Sequence, residues 1–161
     1  MTFDEFLAAC PVIAQLARDR FTRDQLVMLG TLRKDGWPRI SPCEVDLAAG
    51  QLFLGMMWQS MKAIDLLRDP RVVVHSVTCN KEGTDGDIKL YGRALDIQDP
   101  DLRRTFQDAI RARIDWAPEE PEYHLFAVDI ERASYIRFEN GQQIMTWDTE
   151  RGLHERTQPH G

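Results

Sequence analysis

The sequence is short of positive charge. Its 161 residues carry 20 Lys and Arg against 26 Asp and Glu, a net charge of −6. Nucleic acids and anionic membrane surfaces are recognised through basic faces, so neither is expected as a partner. No apolar run approaches the roughly 20 residues that cross a bilayer. The opening "MTFDEFLAACP" has acids where an export signal carries basic residues, so no such signal is read. Cysteine is scarce too: Cys10, Cys43 and Cys79 are far apart, with no C-x-x-C pair. An odd, scattered set suits reduced thiols in the cytoplasm better than a disulfide framework.

Familiar chemical motifs are also missing. No G-x-G-x-x-G follows a strand pattern, and there is no Walker loop, H-E-x-x-H pair or G-x-S-x-G elbow. His75, His124, His154 and His160 are scattered, so no metal site is expected. No side chain is marked as catalytic. An enzyme built on this chain would take its hard chemistry from a bound cofactor.

What is present is a run of short strand patterns. Thr2 is placed to cap a first helix with Phe3, Phe6, Leu7 and Cys10 on one face, and Pro11 restarts it to about residue 17. "QLVMLGTL" (25–32), "RISPCEVD" (39–46) and "LFLGMMW" (52–58) read as strands. They are joined through Asp35-Gly36 and "LAAGQ", which predicts an antiparallel meander. Pro42 cannot donate to a ladder, so its strand should be irregular or lie at an edge. Further strands are expected at 71–77, 88–97 with a bulge at Gly92, 123–130, 133–138 and 142–147. Helices are expected after Ser60 and after Asp99-Pro100. About seven antiparallel strands with two or three helices predict a mainly β, α+β domain over residues 1–147, a small barrel with helices at its ends. Residues 148–161 read as a polar, partly mobile tail.

One stretch raises a chemical question. "GMMWQSMKAIDLLRDPRV" (55–72) passes from strand to helix through Gln59-Ser60-Met61-Lys62. A helix N-terminus exposes unpaired N–H groups and about half a positive charge. Ser60 adds a hydroxyl and Lys62 a full charge, a set that suits a phosphate monoester. The same residues also read as an ordinary serine cap followed by a solvated lysine.

The string at 27–77, "VMLGTLRKDGWPRISPCEVDLAAGQLFLGMMWQSMKAIDLLRDPRVVVHSV", resembles the core of the pyridoxamine-phosphate-oxidase-like, flavin-binding split-barrel family. The matching order is strand, D-G turn, P-R-I-S-P, strand, S-x-K, helix and D-P-R-V strand. The resemblance implies a six- to seven-stranded antiparallel split barrel that forms a homodimer and binds flavin mononucleotide between subunits. Ser60 and Lys62 would then hold the flavin phosphate. Arg39, Ile40 and Ser41 would line the ring edge, through their backbone more than their side chains, and Met57 and Trp58 would flank the ring or ribityl chain. Met56 belongs to the core, because neighbouring strand residues face opposite ways. Trp147 would be a flavin contact or barrel packing. "GLHER" is similar to the R-L-H-D-R of the oxidases, which implies His154 and Arg156 as contacts from a partner subunit.

The chain departs from the oxidases themselves. Cys43 stands near their substrate lysine, and S-M-K replaces S-R-K, so the pyridoxamine phosphate reaction is not expected. Hydride transfer through flavin N5 to some other small molecule is. A deazaflavin, coenzyme F-420, is the alternative cofactor, with Arg39, Lys62, Arg68 and Arg71 available to its longer acidic tail. A non-enzymatic flavin- or haem-binding protein is the other alternative, with His75, His124 or His154 as axial ligand.

Overall fold

Thr2 caps the first helix through a reciprocal pair. Its Oγ1 accepts from the Glu5 N–H at 3.2 Å, while the Glu5 carboxylate accepts from the Thr2 N–H at 2.7 Å. Helix α1 (Phe3–Ala9) buries Phe3 and Phe6. Pro11 opens α2 (Pro11–Asp24), which continues well past Ala17. This computed structural model describes residues 1–77 and 80–159; Cys79 and His160 lie outside the described residues.

The strands are β1 (Leu26–Leu32), β2 (Pro38–Glu44), β3 (Asp46–Ala48), β4 (Gln51–Met57), β5 (Arg71–Ser76), β6 (Asp87–Asp96), β7 (Tyr123–Phe138), β8 (Gln142–Asp148) and β9 (Gly152–Gln158). Helix α3 (Met61–Arg68) follows β4, and α4 (Pro100–Ile114) follows β6. All pairings are antiparallel, in the order β2-β1-β5-β6-β7-β4-β3, with β8 on β7 and β9 on β8. The fold is a mainly β, α+β split barrel whose sheet is not closed.

Among the described residues there are nine strands and four helices, more than the sequence pattern predicted. Three differences have local causes. The stretches at 123–130 and 133–138 form one strand, because Glu131-Arg132 stays extended through a bulged pairing with Tyr91-Gly92. The 148–161 segment, expected as a tail, supplies β9, which pairs with β8 along its whole length while keeping its side chains mostly exposed. The expected meander fails at its third strand. β4 turns through β3 and pairs with β7, not with β2.

The core lies inside the curled sheet, where Val27, Leu29, Val74, Leu90, Phe126 and Val128 meet α1 and α2. A second apolar layer, with Phe53, Phe106, Ile110 and Leu125, seats α4 on the outer side of β4 and β7. No helix among the described residues is long and apolar enough to cross a membrane.

The bulge expected at Gly92 is present, and a Cβ there would stand 2.0 Å from the Asp129 carbonyl oxygen. Gly92→Ala is expected to destabilise the fold by about 1–3 kcal/mol, as overpacking against backbone does. Urea unfolding of both proteins measures it; an unchanged midpoint contradicts the close approach.

Candidate functional site

The split itself is the most distinctive feature. Among the described residues β2 is an edge strand, paired only with β1, and its pairing runs unbroken through Met28 and Pro42. Pro38 and Pro42 have no N–H to offer a further strand. Instead of a ladder, side chains cross from β2 to β4 and α3. The Cys43 thiol donates to the Gly55 carbonyl at 3.5 Å, and Lys62 Nζ donates to the Pro42 carbonyl at 2.6 Å. A cavity of about 590 Å³ opens here, lined among others by Pro42, Cys43, Met57 and Lys62. Burial pushes the Cys43 thiol up to about 11, so it stays protonated and serves as a strut.

Ser60 begins α3 with extended backbone, as a cap should, yet its side chain accepts no helix N–H. Its buried Oγ has no partner among the described residues. The hydroxyl and the first-turn N–H groups are therefore both uncommitted, beside a lysine that leans across the split. This is neither an ordinary serine cap nor a fully solvated lysine.

The other cations near α3 are already matched. Asp65 is 1% exposed; its Oδ2 accepts from Arg39 Nε at 2.6 Å and from Thr31 Oγ1 at 3.0 Å, and its Oδ1 accepts from Arg68 Nη1 at 3.4 Å. Burial pushes the Asp65 carboxyl up, but the bonds from Arg39 and Thr31 outweigh it and hold the carboxyl below its ordinary value. Arg39 makes no other hydrogen bond among the described residues, so its two terminal nitrogens stay free. Arg71 grips Asp69, and its hydrogen bonds lower that carboxyl to about 2.

The remaining expected residues divide by face. Arg39, Ser41 and Cys43 alternate with Ile40, which is 67% exposed on the outer side of the sheet. There it lines a separate cavity of about 830 Å³ with Met28, Gly30, Val73, His75 and Tyr91. Cross-strand pairing carries one row from Met28 through His75, Lys89, Ser134 and Thr146 to His154. His154, and Arg156 two residues on, thus share that outer face and do not meet this chain's split. Trp147 is barrel packing, buried against Phe6 with ring centroids 5.0 Å apart, and Met56 is in the core.

Met57 is 77% exposed at the split. Trp58 lies flat on the His124 ring, 4.5 Å between centroids and 9° between planes. His124 is buried with no partner for Nε2 among the described residues, and burial lowers its pKa, so the imidazole stays neutral at pH 7.

Sequence reasoning missed three contributors. Asp65 sits inside an apolar helix pattern, where a lone acid was a usable signal. Arg103 binds Glu120 through Nε and Nη2 at 2.6 and 2.8 Å and lies 4.2 Å over the Tyr123 ring, which fixes the loop between α4 and β7 as a cavity wall. The carboxylates of that wall gave no sequence signal at all.

No curated protein matches the sequence. Among solved structures, a pyridoxamine 5'-phosphate oxidase-related, FMN-binding protein from Nostoc punctiforme superposes with a TM-score of 0.66 at 13% identity, over 93% of this chain and 96% of that one. A protein related to general stress protein 26, from Clostridium acetobutylicum, gives 0.65 at 16% identity over 83% and 92%. A heme-binding protein from Mycobacterium smegmatis gives 0.60 at 14% identity over 91% and 87%. Identities this low speak to the fold alone. The sequence itself goes further: residues 13–137 match the family described as pyridoxamine 5'-phosphate oxidase. The chain therefore belongs to the pyridoxamine 5'-phosphate oxidase-like split-barrel family, whose flavin-binding fold it shares.

Proposed function

We propose that this protein is a flavin-dependent oxidoreductase that holds flavin mononucleotide at the split between β2 and β4. One observation carries the reading: the buried, unpartnered Ser60 hydroxyl at the start of α3. A buried polar group without a partner is costly, and a phosphate oxygen is the partner that a helix start with a neighbouring lysine would select. Ser60 and Lys62 would bind the phosphate, and the free nitrogens of Arg39, oriented by Asp65, would add to them. Met57 would cover part of the ring.

Bound flavin supplies hydride transfer at N5, and the substrate is a small molecule still to be identified. The chain's own residues bind and orient. Cys43 is held as a protonated strut, and among the described residues no histidine lines the cavity at the split. Flavin mononucleotide is favoured over coenzyme F-420 because Arg68 and Arg71 are already paired with Asp65 and Asp69. That leaves Lys62 and the free nitrogens of Arg39 beside the start of α3, enough for one phosphate and little for a longer acidic tail.

The working unit proposed is a homodimer, with a second copy covering the half-exposed cleft and bringing its outer face, with His154 and Arg156, toward it. The net charge supports neither a nucleic-acid nor a membrane partner. The free thiols of Cys10 and Cys43 suit a cytoplasmic setting.

The non-enzymatic haem reading is the one to exclude experimentally, since one similar fold binds heme. Here His75 Nδ1 lies 2.5 Å from the Ser76 carbonyl, Trp58 covers His124, and His154 is exposed on β9. An absorbance spectrum before and after adding flavin mononucleotide decides. Flavin bands that shift on binding support the proposal; a Soret band, or no change with flavin, overturns it. Sedimentation with flavin present is expected to give twice the 18.6 kDa chain mass, and a stable monomer at micromolar concentration rules the dimer out.

A further inference from the structure

β4 ends in a tight turn before α3. The Ser60 N–H donates to the Met57 carbonyl at 3.1 Å, and Gln59, inside the turn, has a φ of 57°. A glutamine keeps that left-handed backbone where its surroundings fix it. The side chains of Met57 and Gln59 are exposed and offer no anchor. Trp58 does. Its ring lies flat on His124, and His124 in turn lies over Phe126 with centroids 6.3 Å apart. The lower two rings are buried on β7. The three rings form a column under the turn that carries Ser60.

The middle ring is a costly choice for packing alone. Its Nε2 is buried without a partner among the described residues, a cost that phenylalanine would not carry. What imidazole adds is a charge that comes and goes near neutral pH. Two charged groups act on it. Asp96, at the end of β6, favours the imidazolium; Arg103, from α4, opposes it and is itself paired with Glu120. Burial is the largest influence and opposes the charge as well.

We propose that His124 is a positioning residue for the Ser60 turn: neutral, it holds Trp58 and the turn in place, and protonated, it releases them, so a phosphorylated ligand is held less tightly in mild acid. The effect on the ligand rests on reading Ser60 as a phosphate contact; the movement of the turn does not. The direction follows from linkage. The stacked, buried state disfavours the charged ring, so acid favours a state in which Trp58 has swung away and water reaches the imidazole. The loss begins as pH falls below the ordinary imidazole value of about 6.5, and at pH 5.5 its ceiling is about tenfold.

Flavin mononucleotide, titrated at pH 8 and pH 5.5 against the unaltered protein and His124→Phe, measures the effect. Phenylalanine keeps the flat ring and takes no proton. The ligand's own phosphate gains a proton near about pH 6, and both proteins feel that equally, so the ratio of their affinities isolates the histidine. The two should bind alike at pH 8, and at pH 5.5 the unaltered protein should bind about three- to tenfold more weakly than His124→Phe. A ratio that does not change with pH overturns the positioning role. A second measurement needs neither ligand nor variant. In an NMR titration of the unaltered protein, the His124 ring, the Trp58 indole N–H and the Ser60 amide should shift with one shared midpoint below about 6.5. Trp58 and Ser60 signals that stay still while His124 titrates overturn the proposal. So does a stack that tightens in acid, as an indole attracting an imidazolium would make it. Signals that move together in a protein that binds no flavin uphold the release of the turn and remove only the phosphate reading.

Discussion

Lys62→Ala is expected to weaken flavin mononucleotide binding by roughly 10- to 150-fold, the loss of one charge-assisted contact of about 1.5–3 kcal/mol. Riboflavin, which lacks the phosphate, is the control. Lys62 also donates to the Pro42 carbonyl across the split, so its removal could loosen β2 against α3. That loosening would weaken both flavins alike, whereas loss of a phosphate contact weakens only the phosphorylated one. Quenching of flavin fluorescence, titrated with both ligands against both proteins, separates the cases, and equal flavin mononucleotide affinities would sink the phosphate assignment. Ser60→Ala should follow the same ligand pattern with a smaller loss. Its effect on stability differs from what a capping serine gives. A serine that caps through its side chain costs about 1 kcal/mol when removed. Ser60 makes no such bond and buries an unmatched hydroxyl, so Ser60→Ala is expected to leave stability unchanged or raise it.

Asp65→Ala is expected to be the most destabilising substitution near the site, by about 3 kcal/mol. It removes the one carboxylate that Thr31, Arg39 and Arg68 share and leaves two guanidinium groups facing each other beside α3. The low end of the range for broken buried pairs applies, because Arg39 and Arg68 keep some contact with solvent. The pH dependence carries an independent signature. A carboxyl whose folded pKa lies below its unfolded value near 3.9 stabilises the fold above that value. The contribution is lost as pH falls through the lowered folded value. Urea unfolding from pH 6 downward should therefore show a loss of stability below about pH 4 that is smaller in Asp65→Asn. Identical pH profiles would mean that Asp65 is not held ionised by its arginines. Because the same carboxylate orients Arg39, both variants should also weaken flavin mononucleotide more than riboflavin.

Most of the elements were legible because their signals are local. The Thr2 cap, the helix opened by Asp99-Pro100, the Asp35-Gly36 turn and the bulge at Gly92 each depend on a few adjacent residues, and each is where the sequence placed it. The strand-to-helix break at Ser60 was legible for the same reason. The order S-x-K, D-P-R-V carried the family resemblance, and the match over residues 13–137 bears it out. β9 was not legible, since "GLHERTQ" has neither an apolar face nor β-branched density; its pairing with β8 depends on the partner strand.

The sequence by itself determined where most of the strands and helices begin and that a hydroxyl and a lysine stand at the start of α3, because propensity, capping and turn chemistry act over a few residues. Tertiary structure alone decided which strands pair. Pro42 told that its strand would be irregular or lie at an edge, but not that β4 would cross to β7 and leave a cleft between them. It alone matched Arg39 and Arg68 to Asp65, left Ser60 Oγ without a partner, and set Trp58 on His124. These depend on distances between residues far apart in the chain, and a partner across the fold cannot be read from the spacing of neighbours.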